Sequence, residues 1–364
     1  MLRVHCTSCY QSYPNTGLPY RCPRCSGLFD YEDEIIFSPF EIEPQLPGVW
    51  RFRHTFGFEP IIHPISLGEG RTPLVEDRLD QRSVMFKLEF LNPTGSFKDR
   101  GSSLLVSFMA SRGVAEAVED SSGNAGASFA AYTARAGIHG KVFVPDSTAG
   151  PKRRQIEAYG VEIIRVMGPR SNASEAALNA ARSGVVYASH AYLPFGIPGY
   201  ATIAYEIFEQ LNGKPGTVIC PVGQGGLVLG IYRGFRALMN AGAIEELPKI
   251  IGVQARACAP LWALYEFGRI GLDWSTEGQT VAEGIRIFHP VRGDLVLAAI
   301  THSQGRILAV EEEEILPARD ELAHRGFYVE PTSAVVWVAL RSLLDSVPEP
   351  IVLVLTGSGV KYWN

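Results

Sequence analysis

The strongest restriction on how this chain folds is an alternation that begins near Val84, where short apolar runs rich in β-branched residues are separated by stretches of helical period. Residues 84–90, 141–145, 161–166, 217–222, 250–254 and 351–355 predict strands, and 126–136, 172–182, 226–239 and 332–344 predict helices. Strands that read as continuous apolar runs are buried on both faces, and helices between them supply the cover. The expected class is therefore α/β, with parallel sheets covered by helices. No internal repeat or low-complexity segment interrupts the pattern.

With 364 residues, 46% of them hydrophobic and 20% charged, the chain is long enough for two cores and an accessory module. A formal net charge of -5, with no long block of Lys and Arg, argues against nucleic acid as a partner. The N-terminal residues lack a basic segment followed by an apolar run, and no later stretch stays apolar over a membrane-spanning length. The expectation is a cytoplasmic protein with no membrane partner. Four of the six cysteines form two pairs, Cys6-x-x-Cys9 and Cys22-x-x-Cys25, 12 residues apart. Two such thiolate knuckles close a tetrahedral site, and metal binding supplies folding energy that so short a segment cannot draw from its own core. The spacing predicts a structural Zn2+ held by all four cysteines; a redox dithiol and unrelated free cysteines are the alternatives.

One lysine stands out. Lys98 follows the small-residue turn Pro93-Thr94-Gly95-Ser96 and begins an expected helix. The positive end of the helix dipole and desolvation both favour the neutral amine that a Schiff base requires, although a solvated first-turn lysine has the same short sequence. Three loops carry matching chemistry. Ser121-Ser122-Gly123-Asn124-Ala125-Gly126 opens an apolar helix, and its backbone amides form an anion site, as an ordinary helix cap also would. Gly223-Gln224-Gly225-Gly226-Leu227 follows an expected strand and offers amides that wrap a phosphate without a positive side chain. It lacks the GxGxxG pattern and acidic ribose ligand of a nucleotide-binding Rossmann loop. Thr356-Gly357-Ser358-Gly359 ends the last expected strand.

The run from Asn92 to Gly101 resembles the lysine motif of fold-type II pyridoxal-phosphate enzymes, in its threonine synthase version. Ser66 to Leu74 resembles the LGEGxTPL segment of threonine synthases, and Val329 to Ala334 their EPxSA segment, so the resemblance covers nearly the whole chain after Ser66. It implies that Lys98 binds pyridoxal 5'-phosphate and moves protons in catalysis, and that Asn124 hydrogen-bonds the cofactor ring hydroxyl. By the same resemblance Gly223, Gln224, Gly225, Gly226 and Leu227 hold the cofactor phosphate, and Thr356, with Ser358 second, faces the ring nitrogen. Ser121, Ser122, Gly123 and Ala125 hold the substrate carboxylate. An N-terminal zinc ribbon also occurs in some threonine synthases and in the similar cysteate synthases.

The resemblance implies a two-domain enzyme with its active site between domains: a zinc ribbon over 1–37, a Pro-rich linker over 38–65, a large cofactor-binding domain of 66–101 and 190–364, and a small mobile domain of 102–189. It further implies a homodimer acting on a small amino-acid substrate, converting O-phosphohomoserine and water to threonine and phosphate. Residues 188–202 depart from the threonine synthase pattern: Ser189 is kept, but no Arg, Lys or Asn remains to grip a phosphate. Arg286 is the better candidate for that charge. Lys152, Arg153 and Arg154 read first as a solvated helix start, and His190 as a polar residue at a strand end. The segment keeps open a serine/threonine dehydratase or a cysteate-synthase-like enzyme. A zinc-ribbon interaction protein without catalysis is the reading from another class.

Overall fold

The computed structural model describes residues 3–57, 63–146 and 150–362. The chain divides into two compact units, Met1–Gly70 with Lys98–Gly199 and Tyr362–Asn364, and Arg71–Phe97 with Tyr200–Lys361. The segment expected as a small domain, 102–189, lies within the first. No helix among the described residues is long and apolar enough to cross a membrane.

In the first unit, strands β1 (Val4–Cys6) and β2 (Phe29–Tyr31) pair antiparallel. The main sheet holds four parallel strands in the order β7-β6-β5-β8, with β5 Glu116–Glu119, β6 His139–Pro145, β7 Glu162–Val166 and β8 Val186–Tyr187. Its helices are α1 (Lys98–Ser111), α2 (Asn124–Ala136), α3 (Pro151–Ala158) and α4 (Arg170–Arg182). The chain runs outward from β5 through β7 and then returns to place β8 on the other flank of β5. The strand order therefore reverses between β5 and β8, and in an open α/β sheet ligands bind beyond the carboxyl ends at such a point.

The second unit repeats this arrangement on a larger scale. Its six strands lie in the order β11-β10-β9-β12-β4-β3, with β3 Leu74–Leu79, β4 Arg82–Lys87, β9 Thr217–Pro221, β10 Lys249–Ala255, β11 Arg306–Val310 and β12 Ile351–Val354. All neighbours are parallel except the β3–β4 hairpin. Helices α5 (Ile197–Leu211, which begins in the first unit), α6 (Gly226–Asn240), α7 (Pro260–Phe267), α8 (Gly293–His302), α9 (Glu312–His324) and α10 (Pro331–Leu343) complete it. The order reverses between β9 and β12, so the loops after these two strands occupy the switch point. Phe86 anchors the core between Phe327 and Trp337, at centroid distances of 4.4 and 5.9 Å. Burying such a ring contributes about 2–3 kcal/mol.

Two expectations change in detail. The strand expected over 84–90 ends at Lys87, and Glu89–Leu91 turns into a 3-10 helix. The cause is the buried Glu89 carboxylate, which accepts hydrogen bonds from Thr72 Oγ1 at 2.7 Å and Asn92 Nδ2 at 2.9 Å and bends the chain around itself. The stretch expected as a linker is ordered in part: Gly48–Thr55 is 3-10 helical, buries Val49, Trp50 and Phe52, and donates from Trp50 Nε1 to Ser103 Oγ at 2.8 Å. Residues 58–62 of that stretch lie outside the described residues.

Candidate active site and metal centre

The four N-terminal cysteines converge. Their sulfur atoms all lie within 4.8 Å of one another, with Cys6 and Cys25 at 3.4 Å and Cys9 and Cys22 at 3.6 Å. The two knuckles are built alike. Tyr10 and Ser26, each directly after the second cysteine of its pair, take positive φ (58° and 60°) and donate their amides to the carbonyls of Cys6 and Cys22 at 2.9 and 2.8 Å. A left-handed residue costs energy in an L-chain, and paying it twice in equivalent places is what aims two pairs of sulfurs at one point. Four thiols and no free position make a donor set for a structural metal. The module packs on its own unit through Tyr13, whose ring meets Phe29 edge-on at 4.6 Å and Phe195 at 5.0 Å.

Lys98 is the first residue of α1. The next residue, Asp99, is fully buried and accepts a hydrogen bond from Ser128 Oγ at 2.6 Å, which ties α1 to α2. The loop at 121–126 runs from the end of β5 into α2. A Cβ on Gly126 would stand 1.8 Å from the Ser121 carbonyl oxygen, so only glycine allows this tight entry. Gly123 donates its amide to Ser121 Oγ at 3.3 Å, Asn124 opens the helix, and no side chain caps it. The buried Glu69 of the LGEG segment accepts from Tyr132 on α2 at 2.7 Å and from the Leu67 amide at 2.9 Å. Ser189 is buried just beyond β8. His190 is partly buried, and its Nδ1 lies 3.4 Å from Glu119 Oε1. The first switch point thus gathers Ser121, Ser122, Gly123, Asn124, Ala125 and Ser189 at the carboxyl ends of β5 and β8.

The second switch point gathers the other expected residues. Gly225 caps α6 with φ 88°, no side chain caps that helix, and a Cβ on Gly225 would meet Val296 Cγ2 at 2.1 Å. Gly223 packs against the segment that carries Arg286, where an added Cβ would lie 3.1 Å from the Gly284 carbonyl oxygen. Gln224 accepts the Val291 amide at 3.2 Å, so its side chain braces the loop and leaves the backbone to bind. After β12, buried Thr356 holds its hydroxyl 3.0 Å from Ser333 Oγ, which also accepts the Gly357 amide at 2.9 Å. The turn before Lys98 is stitched to this loop, with Phe97 N donating to Thr356 O and Ser358 N to Gly95 O, both at 3.0 Å. Ser96 Oγ is buried there without a hydrogen-bond partner among the described residues. An orphaned hydroxyl and an uncapped glycine cradle suit a phosphorylated ligand, since amides at a helix start stabilise anions.

The remaining basic candidates are engaged locally. Arg286 donates to Gln279 Oε1 at 3.0 Å and to the Glu277 carbonyl at 3.2 Å. Lys152, Arg153 and Arg154 lie in the first turn of α3, where Arg153 pairs with Glu157 one turn on at 3.2 Å. Sequence reasoning missed Glu119. Its signal was weak, a Glu-Asp pair at the end of a four-residue strand, which reads as a solvated turn.

Two parallel sheets with glycine-lined switch points, and a lysine opening a helix, define the class as an α/β enzyme built around a phosphorylated ligand. Residues 65–357 match the pyridoxal-phosphate dependent enzyme family, and the chain belongs to it. It is 35% identical over 373 residues to a threonine synthase of Methanocaldococcus jannaschii, covering 98% of this chain and 92% of that one. A threonine synthase of Methanosarcina acetivorans is 33% identical over 376 residues, covering 99% and 92%. Among solved structures, a bacterial-strain threonine deaminase, described as from T.th., superposes with a TM-score of 0.66 at 26% identity, covering 81% of this chain and 94% of that one. Maize serine racemase shares the fold, with a TM-score of 0.68 at 21% identity over 79% of this chain and 88% of that one.

Proposed function

We propose that this chain is a threonine-synthase-like lyase that converts O-phosphohomoserine and water to threonine and phosphate. The observation that carries the reading is the similarity to threonine synthases over nearly the full length of both chains, N-terminal module included. Pyridoxal phosphate, when bound, supplies an electron sink for carbanion chemistry. Lys98 holds it covalently, and once the substrate amine displaces the lysine, Nζ carries protons on and off the substrate carbons. The amides of Gly223, Gln224, Gly225, Gly226 and Leu227 bind the cofactor phosphate, and Asn124 the ring hydroxyl. Thr356, oriented by Ser333, presents a neutral hydroxyl to the ring nitrogen, with Ser358 in second place. A hydroxyl cannot hold a ring nitrogen charged as a carboxylate would, so the proton traffic falls on Lys98. Ser121, Ser122, Gly123 and Ala125 receive the substrate carboxylate at the uncapped start of α2. Ser189 and Arg286 bind the leaving phosphate, Arg286 by exchanging its present partners for the anion.

The same reading makes the cysteine cluster a structural zinc site and the protein a cytoplasmic homodimer. It keeps a ribbon over 1–37, a large cofactor-binding domain and a small domain at 102–189. A serine/threonine dehydratase is favoured by one observation, the loss of every Arg, Lys and Asn from 188–202, together with the likeness to a threonine deaminase. Purified protein offered O-phosphohomoserine, serine and threonine in parallel, with phosphate and keto-acid readouts, decides between them. Phosphate and threonine in equal amounts are expected from phosphohomoserine. Keto acid from serine or threonine at far higher kcat/KM would replace the synthase by the dehydratase.

A further inference from the structure

One buried acid at the first switch point has no part in the function just described. Glu119 is the last residue of β5, is 1% exposed, and places Oε1 at 3.4 Å from His190 Nδ1 across the β5–β8 pair. Its other oxygen, Oε2, is buried and has no hydrogen-bond partner among the described residues. Such an oxygen is costly unless a donor reaches it during function. The neighbouring Asp120 differs, since Tyr187 donates to it at 2.8 Å and Ser174 donates to its second oxygen. The groups that act on the Glu119–His190 pair are Asp120 at the same strand end, Tyr187 of β8, Lys98 of α1, Arg170 of α4, and each partner on the other. Burial, reinforced by Asp120, pushes the Glu119 carboxyl well up against the pull of Lys98 and Arg170. Burial, with Lys98 and Arg170, pushes the His190 imidazole well down.

We propose that Glu119 is a positioning residue for Lys98: held by His190, its carboxyl sets the charge against which the lysine amine takes up and releases its proton. The placement carries the argument. Both side chains sit at the carboxyl ends of adjacent strands on either side of the reversal, in the unit that also holds Lys98, and one carboxyl oxygen is kept dry and unpaired. The proposal rests on Lys98 being the cofactor lysine. An ionised Glu119 favours the protonated form of the nitrogen that Lys98 contributes, so removing the charge lowers the pH at which that nitrogen titrates.

The test is a pH titration of the absorbance of bound cofactor in holoenzyme reconstituted with pyridoxal phosphate, for the wild type, Glu119→Gln and Glu119→Asp. Glu119→Gln is expected to move the midpoint down by about one unit, with Glu119→Asp nearer the wild type. Its kcat should fall about tenfold while KM changes by less than about threefold, a split that mere loss of stability would not produce. If Glu119→Gln does not fold, His190→Gln replaces it; freed from its holder, the carboxyl should still move the midpoint and lower kcat. Folded variants whose curves superimpose on that of the wild type would overturn the proposal and leave Lys98 untouched. A wild-type protein that binds no pyridoxal phosphate would instead end the Lys98 assignment itself.

Discussion

Gly126 and Gly123 occupy the same loop but answer to different constraints. At Gly126 a Cβ would run into the Ser121 backbone, whereas at Gly123 it would meet only Ser121 Oγ at 3.8 Å, with φ at -105°. Gly126→Ala must therefore push α2 away from the end of β5, at a cost of about 1–3 kcal/mol. Gly123→Ala should be tolerated far better. Urea melts of the two variants check this, and equal losses would mean that the loop is not held by backbone contact. Such residues were legible in the sequence as small residues ahead of an apolar helix, and so was Lys98. Glu119 was not, because its significance depends on His190, 71 residues away, and only the pairing of β5 with β8 brings the two together. Ser333 lay within a recognised motif, but its role in orienting Thr356 appears only when α10 and the end of β12 are seen together.

Among the elements, those with strong local patterns were the readable ones. The apolar cores of β6, β9, β10 and β12, and the helices α2, α4, α6 and α10, fall where periodicity predicts them. The edge strand β3 reads Leu-Val-Glu-Asp-Arg-Leu and is mostly solvent-facing, so it lacks the apolar run that marks a central strand. Strand β8 is two residues long, too short for any pattern. Trp50 and Phe52 were hidden because a 3-10 helix with an internal kink gives neither the helical nor the strand period. The zinc ribbon is the opposite case, since its four ligands are named by spacing alone. Its small cluster of Cys6, Cys22 and Phe29 is too little to fold unaided. Chelation should remove about one zinc per chain and lower the first thermal transition. Metal analysis and a melt with and without chelator check this; a metal-free protein whose melt the chelator leaves unchanged would rule out the structural zinc.

At the scale of the molecule, the two sheets place their reversals in the same way, one between β5 and β8 and the other between β9 and β12. Each reversal exposes a loop that enters a helix without a side-chain cap, α2 in the first unit and α6 in the second. The class α/β was readable from alternation, but strand order was not, because nothing local tells β8 or β12 to return to the inner flank of the sheet. That return follows from burying both faces of every central strand while keeping connections short and right-handed. The central claim is that Lys98, at the head of α1, is the covalent anchor of the cofactor. Borohydride reduction of the pyridoxal-phosphate-loaded protein, followed by mass mapping of its peptides, tests it most directly. The expected result is a permanent cofactor mass on the peptide that contains Lys98, absent from Lys98→Ala. A label on another lysine, or none at all on a protein that has taken up the cofactor, would contradict the account.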